Sequence, residues 1–206
     1  MKPATLAAAL FCLGFVCPAA SAISVTAQIL DAAGQPVTDA AVYAEPVSGQ
    51  VLPKLTRAMQ IEQVGRKFSP LVSVIQTDSE ISFPNNDSVR HHVYSFSPAK
   101  VFELKLYSGV PAAPVRFDKP GTVVIGCNIH DHMVAYIHVV NTPYYGKTDS
   151  AGKIRIDGLA AGKYRLRAWH FGMPAGAPIP EQAITVGGSD INASFTLNTR
   201  PGATGH

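Results

Sequence analysis

Short apolar stretches alternate with polar residues along most of the chain, with the two-residue period of a β-strand. Val, Ile, Thr and aromatic residues dominate these stretches, and clusters of Gly, Pro, Asn and Asp separate them. The pattern predicts strands at 25–30, 71–75, 92–96, 102–106, 122–125, 134–140 and 164–169. Many short strands separated by turn residues are typical of a β-sandwich, so we predict an all-β protein. Residues 55–64 are the one segment where we expect a helical turn or an irregular loop.

The first 22 residues have a different pattern. Lys2 precedes an apolar run from Leu6 to Val16, and the small residues Ala20-Ser21-Ala22 follow that run. This order is that of a secretory signal peptide, so we expect cleavage after Ala22 and a periplasmic location. The run is too short to span a bilayer, and no later segment is long and apolar enough. We therefore expect no membrane span in the mature protein.

The net charge and the cysteine content limit the functions that the mature chain can have. The full sequence has 17 Lys and Arg against 14 Asp and Glu, and loss of Lys2 leaves 16 and a net charge of +2. This charge is too small for a dedicated nucleic-acid-binding surface, so no nucleic-acid partner is expected. Cleavage would also remove Cys12 and Cys17, leaving Cys127 alone in a compartment that oxidises paired cysteines. Cys127 is then either a small buried hydrophobic residue or a metal ligand.

Cys127 belongs to a motif of metal-ligand residue types. The segment 126–133 closes one predicted strand and opens the next, and it places Cys127, His130 and Met133 at intervals of three. A thiolate, an imidazole and a thioether can converge from one short loop onto one ion. Copper and zinc select such ligands, and a weak Met bond beside two histidines and a cysteine marks an electron-transfer copper site. A second histidine is available upstream, in the pair His91-His92.

Residues 66–140 resemble a cupredoxin domain in several motifs. These are Lys67-Phe68-x-Pro70, Phe83-x-Asn85 before His91-x-Val93, Lys119-Pro120-Gly121, and Cys127-x-x-His130-x-x-Met133. The short final loop is similar to that of amicyanin. The resemblance implies a plastocyanin-like Greek-key β-sandwich with one copper ion, bound by His91, Cys127, His130 and Met133. It also implies that Asn85 steadies the surrounding loops, and that the protein is an electron carrier with a periplasmic redox partner and not an enzyme.

Two places depart from the cupredoxin pattern. His92 stands where these proteins commonly have Asn after the first histidine ligand, so His92 is an alternative to His91. Asp131 and His132 stand where amicyanin-like loops usually have Pro and an aromatic residue, which makes His132 a further candidate ligand. An additional imidazole would give a red or green copper centre instead of a blue one. For His132 alone, a solvated side chain is the simpler interpretation.

The two ends of the chain resemble parts of a small carboxypeptidase-regulatory-like, transthyretin-type β-sandwich. The matching segments are 31–37 and 40–43 at one end and 148–154 and 159–166 at the other. We therefore predict one discontinuous sandwich from residues 23–54 and 142–198, with the cupredoxin domain 55–141 inserted and a flexible tail at 199–206. The alternative is a linear order in which residue 23 onward belongs to the middle domain and 143–197 stand alone.

The whole chain also resembles bacterial proteins labelled methylamine utilization proteins, which contain a plastocyanin-like domain. That label does not imply that methylamine is a ligand. No nucleophile arrangement, Gly-rich phosphate loop or pair of CxxC motifs favours catalysis. The leading interpretation is a mononuclear copper electron carrier. The alternatives are a periplasmic copper-binding or copper-delivery protein, and a carbohydrate-binding-like module or adhesin with a vestigial site.

Two further histidines lie away from the motif, His138 in a predicted strand and His170 directly after one. We expect His138 on a face of its sheet, outside the ligand set. His170, with Arg165 and Arg167, could line a small polar surface, but an exposed strand face is the simpler interpretation and the one we expect.

Overall fold

The computed structural model describes residues 23–49, 52–55, 58–111 and 113–200. The predicted signal peptide and positions 201–206 of the predicted tail lie outside these residues. The described residues form strands, turns and loops, with no helix among them, and the all-β prediction is confirmed. No helix that could cross a membrane occurs in the described part of the chain.

The described residues form seventeen strands. In chain order these are β1 (Ile23–Asp31), β2 (Ala41–Pro46), β3 (Met59–Gln60), β4 (Glu62–Val64), β5 (Lys67–Ser69), β6 (Val72–Gln76), β7 (Ser79–Ser82), β8 (His91–Ser97), β9 (Lys100–Tyr107), β10 (Val115–Phe117), β11 (Gly121–Gly126), β12 (Val134–Val140), β13 (Tyr145–Lys147), β14 (Lys153–Leu159), β15 (Gly162–Trp169), β16 (Glu181–Val186) and β17 (Ile191–Leu197). The seven predicted strands are all among them.

The sequence prediction of a helical turn or an irregular loop is wrong for the segment 55–64. Its described part contains β3 and β4 instead of a helical turn. Ile61 and Gln63 point inward and are fully buried, whereas Val64 is 49% exposed. The side chains therefore alternate between inside and outside as in a strand. The sequence pattern does not reveal this alternation, because the inward residue Gln63 is polar and the outward residue Val64 is apolar.

The outer sandwich, formed by β1, β2 and β13 to β17, combines strands from both ends of the described chain. β1 pairs antiparallel with β14 and parallel with β17, while β2 pairs antiparallel with β13 and β15. β16 extends the second sheet beside β15. Both sheets contribute to one core, which includes Ile29, Tyr164, Leu166 and Phe195. Burial of each such side chain contributes about 1.5–3 kcal/mol and holds the distant strands together.

The inner sandwich contains the strands from β3 to β12. Its larger sheet has the order β6-β12-β11-β8-β9, and the opposing sheet has the order β10-β7-β3. β4 and β5 form a separate antiparallel pair. The buried core between the sheets includes Phe117 and Ile137, and Cys127 and Met133 belong to the same cluster. The predicted ligand motif therefore lies at one end of this core.

A third, smaller cluster joins the two sandwiches. Tyr43 of β2 and Val140 of β12 are buried in it, and Trp169 packs against it. The His138 imidazole lies parallel to the Trp169 ring at a centroid distance of 4.6 Å, and the Tyr43 ring lies 5.3 Å away. The Thr122 hydroxyl is 3.0 Å from His138 Nδ1. His138 does lie on a face of its sheet, but the outer sandwich covers that face.

Candidate metal centre

Strand order brings the predicted ligands together. β8 and β11 are antiparallel neighbours, so the start of β8 lies beside the end of β11. His91 is the first residue of β8, and Cys127 directly follows β11. The loop after Cys127 is closed by two backbone hydrogen bonds, from Cys127 N–H to the Met133 carbonyl at 3.3 Å and from Met133 N–H to the His130 carbonyl at 2.9 Å. This tight loop keeps His130 beside Cys127.

Three of the four predicted ligand side chains meet at this point. Cys127 Sγ lies 3.9 Å from His91 Nδ1 and 4.0 Å from His130 Nδ1, and the three atoms all lie within 4.8 Å of one another. His91 and Cys127 are buried, whereas His130 is half-buried. Desolvation by partial burial, with the nearby His91 and Arg66, holds the pKa of His130 below its usual value. Neutral imidazole, the form that binds metals, is thereby favoured at position 130.

The spacing of these atoms fits a shared metal ion. Bond lengths of about 2.0–2.1 Å for imidazole nitrogen and about 2.3 Å for thiolate sulfur allow nitrogen–sulfur separations of up to about 4.4 Å around one ion. Both separations from Cys127 are below this limit. Met133, the fourth predicted ligand, is 1% exposed and packs in the same core cluster. Two imidazoles, one thiolate and a neighbouring thioether form a donor set that suits copper.

Asp87 holds the His91 ring in the orientation that this site needs. Asp87 Oδ2 lies 2.7 Å from His91 Nε2, which leaves Nδ1 facing Cys127. The backbone N–H groups of Gly65 and Arg66 donate to the same carboxylate at 2.6 and 2.9 Å. Partial burial opposes ionisation of Asp87, but hydrogen bonds from Arg66, His91 and Gly65 outweigh it and hold the pKa of the carboxyl below its usual value. An ionised Asp87 is a strong acceptor for a ligand histidine.

The side chain of Asn85 stabilises the turn that contains Asp87 through hydrogen bonds. Its side-chain nitrogen donates to the carbonyls of Val89 and Tyr107, both at 2.9 Å. Its side-chain oxygen accepts a hydrogen bond from Asp87 N–H at 3.0 Å. Asn85 therefore acts on the site through Asp87.

The other two candidate ligands lie apart from the three-residue cluster. His92 Nε2 is 2.8 Å from a Glu103 carboxylate oxygen, and the His92 ring lies 5.5 Å from that of Tyr94. Neighbouring strand residues point to opposite faces, so His92 lies on the outer face of the sheet while His91 points into the core. His132 is exposed, with its ring centroid 6.0 Å from that of His130.

The chain has weak likenesses to solved copper proteins. A Cu-containing nitrite reductase from Thermus scotoductus SA-01 is 23% identical with a TM-score of 0.39, over 47% of this chain and 25% of that one. A purple cupredoxin from Nitrosopumilus maritimus is 23% identical with a TM-score of 0.35, over 40% of this chain and 99% of that one. A reduced Cu(I) form of an amicyanin variant is 14% identical with a TM-score of 0.37, over 48% and 99%. The chain thus spans about a quarter of the length of the nitrite reductase.

No known protein-family model matches the chain. No curated protein of similar sequence was found either.

Sequence reasoning missed Asp87 and misplaced His170. The sequence marks Asn85-Asn86-Asp87 only as a turn, and the four-residue spacing from Asp87 to His91 was the available signal. His170, predicted on an exposed face, is 1% exposed. That prediction is wrong because β15 ends at Trp169 and the chain turns inward, where Gly172 N–H donates to His170 Nδ1 at 3.1 Å.

Proposed function

We propose that this chain is a mononuclear copper protein of the cupredoxin family, in which His91, Cys127, His130 and Met133 hold one copper ion. The observation that carries the proposal is the convergence of three donor atoms within 4.8 Å at one end of the inner sandwich. Cys127 is the free cysteine of the described residues and is buried. Metal ligation gives a reason for a lone buried thiol that lies between two imidazoles.

Electron transfer is the function that this arrangement supports best. Copper would supply the one-electron chemistry, since it alternates between Cu(I) and Cu(II). The protein contributes ligands that stay in place: Asp87 orients His91, and Cys127 and Met133 are packed in the core. Fixed, buried ligands limit rearrangement and exclude water. His130 is the half-buried member of the set, so we place the approach of a periplasmic redox partner on its side.

We also propose the domain division predicted from the sequence. In it, residues 23–54 and 142–198 form a carboxypeptidase-regulatory-like sandwich, and 55–141 form the inserted cupredoxin domain. The pairing of β1 with β14 and β17, and of β2 with β15, supports this division. Thr199 and Arg200, the first residues of the predicted tail, donate backbone hydrogen bonds to Leu197 and Gly172. We further propose that the chain is exported to the periplasm with cleavage after Ala22, and that it is related to the proteins of the methylamine utilization type.

Copper delivery is a second candidate, favoured by one observation. His132 is an exposed imidazole 6.0 Å, ring to ring, from the half-buried His130, so it could contact copper on its way out of the site. A delivery protein would lose copper quickly to an acceptor chelator, and His132→Asn would slow that loss. An electron carrier would instead cycle between oxidation states at constant copper content.

The copper proposal is tested by titrating the purified apo mature protein with Cu(II). We expect one tightly bound copper per chain and an intense visible absorption band from thiolate-to-copper charge transfer. Electron paramagnetic resonance would show one Cu(II) species that disappears on reduction. The same protein loaded with Zn(II) is the colourless control. A colourless copper adduct with only nitrogen and oxygen ligands would contradict the proposal.

We expect Asp87→Asn to weaken copper binding by about 10- to 100-fold, the usual effect of removing the partner of a ligand histidine. Asparagine keeps one acceptor oxygen, whereas the two oxygens of Asp87 accept from Gly65, Arg66 and His91. The amide nitrogen of the new asparagine would therefore face one of these N–H donors and could not accept its hydrogen bond. Competition with a chelator of known affinity measures the change.

Asp118→Asn is the matched control for this substitution. Asp118 is a carboxylate of the inner sandwich whose partner is Lys100 at 3.1 Å, and it contacts none of the proposed ligands. We expect the copper affinity of the Asp118→Asn protein to equal that of the unmodified protein. Equal affinities for the Asp87 and Asp118 variants would show that Asp87 does not position His91.

A further inference from the structure

A cleft with a volume of about 540 Å³ lies between the outer face of the five-stranded sheet and the loop that follows β15. Thr122 and Tyr136 of the inner sandwich line it, together with Trp169 at the end of β15 and the loop residues Phe171 and Met173. We propose that this cleft binds a small planar aromatic carboxylate. The volume is within the usual range of ligand sites, about 300–1,000 Å³, and such sites often lie between two packed units. The site is separate from the proposed copper ligands and does not depend on copper.

The aromatic walls of the cleft are fixed by contacts with one another. The rings of Tyr136 and Phe171 are stacked at 4.9 Å with an angle of 19°. The Trp169 ring lies 6.3 Å from that of Tyr136, and the His138 imidazole covers one of its faces. These three aromatic side chains are half-buried and line the cleft with their remaining surface. Rigid aromatic surfaces favour flat apolar rings, which stack or make edge contacts without ordering the protein further.

Arg200 contributes one positive charge to the cleft. Arg200 is the only charged residue among the described residues that line it. The Arg200 backbone N–H donates to the Gly172 carbonyl at 2.9 Å, which anchors this residue beside the loop. None of the ion pairs among the described residues includes Arg200. A guanidinium with free donors binds carboxylates through two parallel hydrogen bonds, so the charge selects an anionic ligand.

The polar lining argues against a sugar as the ligand. The Thr122 hydroxyl is engaged with His138 Nδ1 at 3.0 Å, and His170 Nδ1 accepts from Gly172 N–H at 3.1 Å. Most other lining residues are apolar or aromatic. A sugar needs many hydrogen-bond partners to replace those it loses from water. A flat ring with one carboxylate needs few, and this cleft offers aromatic surface and one cation.

Trp169 makes the proposal directly measurable. It is the single tryptophan of the chain, so intrinsic tryptophan fluorescence reports from the cleft. We expect benzoate, the probe, to change the fluorescence of the apo protein in a saturable manner. Benzyl alcohol lacks the charge and cyclohexanecarboxylate lacks the flat ring, so each should bind about tenfold more weakly, a loss of about 1.4 kcal/mol. Since copper is absent, failure here would leave the copper proposal untouched.

Two variants and one control locate the bound probe. Arg200→Gln and Phe171→Ala should each weaken benzoate binding about tenfold, with unchanged circular dichroism. Arg165→Gln removes an exposed arginine outside the cleft and should leave binding unchanged. Three results would each overturn the proposal: no saturable change with benzoate at millimolar concentration, equal binding by all three variants, or tighter binding of methyl glucoside than of benzoate.

Discussion

Cys127→Ser is expected to abolish the intense visible absorption of the copper-loaded protein. In the proposed copper site the band would arise from the thiolate of Cys127, whose sulfur lies 3.9 and 4.0 Å from the two imidazole nitrogens of the cluster. A hydroxyl is a poor ligand for copper at neutral pH. The copper affinity should therefore fall by more than the roughly 100-fold that follows removal of a residue hydrogen-bonded to a ligand. Absorption spectroscopy and chelator competition measure both effects.

The apo form of this variant should remain folded. Cys127 is 3% exposed in the core of the inner sandwich, so a serine hydroxyl there costs about 1–3 kcal/mol of stability. Circular dichroism and chemical unfolding of the apo protein therefore separate loss of ligation from loss of fold. A Cys127→Ser protein that keeps the visible band would refute thiolate ligation.

The adjacent histidines provide a matched pair for the same measurement. His91→Asn should remove the band or shift it strongly, because His91 Nδ1 faces Cys127. His92→Asn should preserve the band, because His92 contacts Glu103 on the outer face of the sheet. The reverse result would assign the ligand to His92.

Local spacing explains why part of this site is predictable from the sequence. Cys127, His130 and Met133 lie at intervals of three positions, on one loop between two strands with clear alternation. His91 is predictable through its motif and its place at a strand start. Asp87 is harder to predict because its role depends on Gly65 and Arg66, which only the folded chain brings beside it.

Contacts between the two sandwiches could not be predicted for a similar reason. His138 and Trp169 stack across the boundary, and each lies on a strand whose own pattern indicates only an ordinary sheet face. Which face is covered depends on how the two sandwiches pack. The aromatic cleft beside this contact could not be predicted from the sequence for the same reason.

Burial of His138 is expected to make the protein markedly less stable in acid. Desolvation lowers the pKa of His138 from 6.5 to about 4. Its neighbours are the Thr122 hydroxyl and the rings of Tyr43 and Trp169, and no carboxylate of the described residues pairs with it. The folded state therefore holds this imidazole neutral at a pH where the unfolded chain protonates it.

The sign of the effect follows from proton binding. Above pH 6.5 the residue is neutral in both states and has no influence on the pH dependence. Between about pH 6.5 and 4 the unfolded state binds more protons, so the free energy of unfolding falls as the pH falls. A pKa difference of about 2.5 units corresponds to a loss of about 3 kcal/mol, complete below about pH 4.

Urea unfolding of the apo protein between pH 7.5 and 4, followed by Trp169 fluorescence, measures this loss. His138→Phe keeps an aromatic ring between Tyr43 and Trp169 but cannot titrate, so its stability should decline about 3 kcal/mol less than that of the unmodified protein over this range. Carboxylates and His170 titrate in both proteins and cancel in the difference. Parallel curves for the unmodified and His138→Phe proteins would show that the contact between the sandwiches does not depend on a neutral His138.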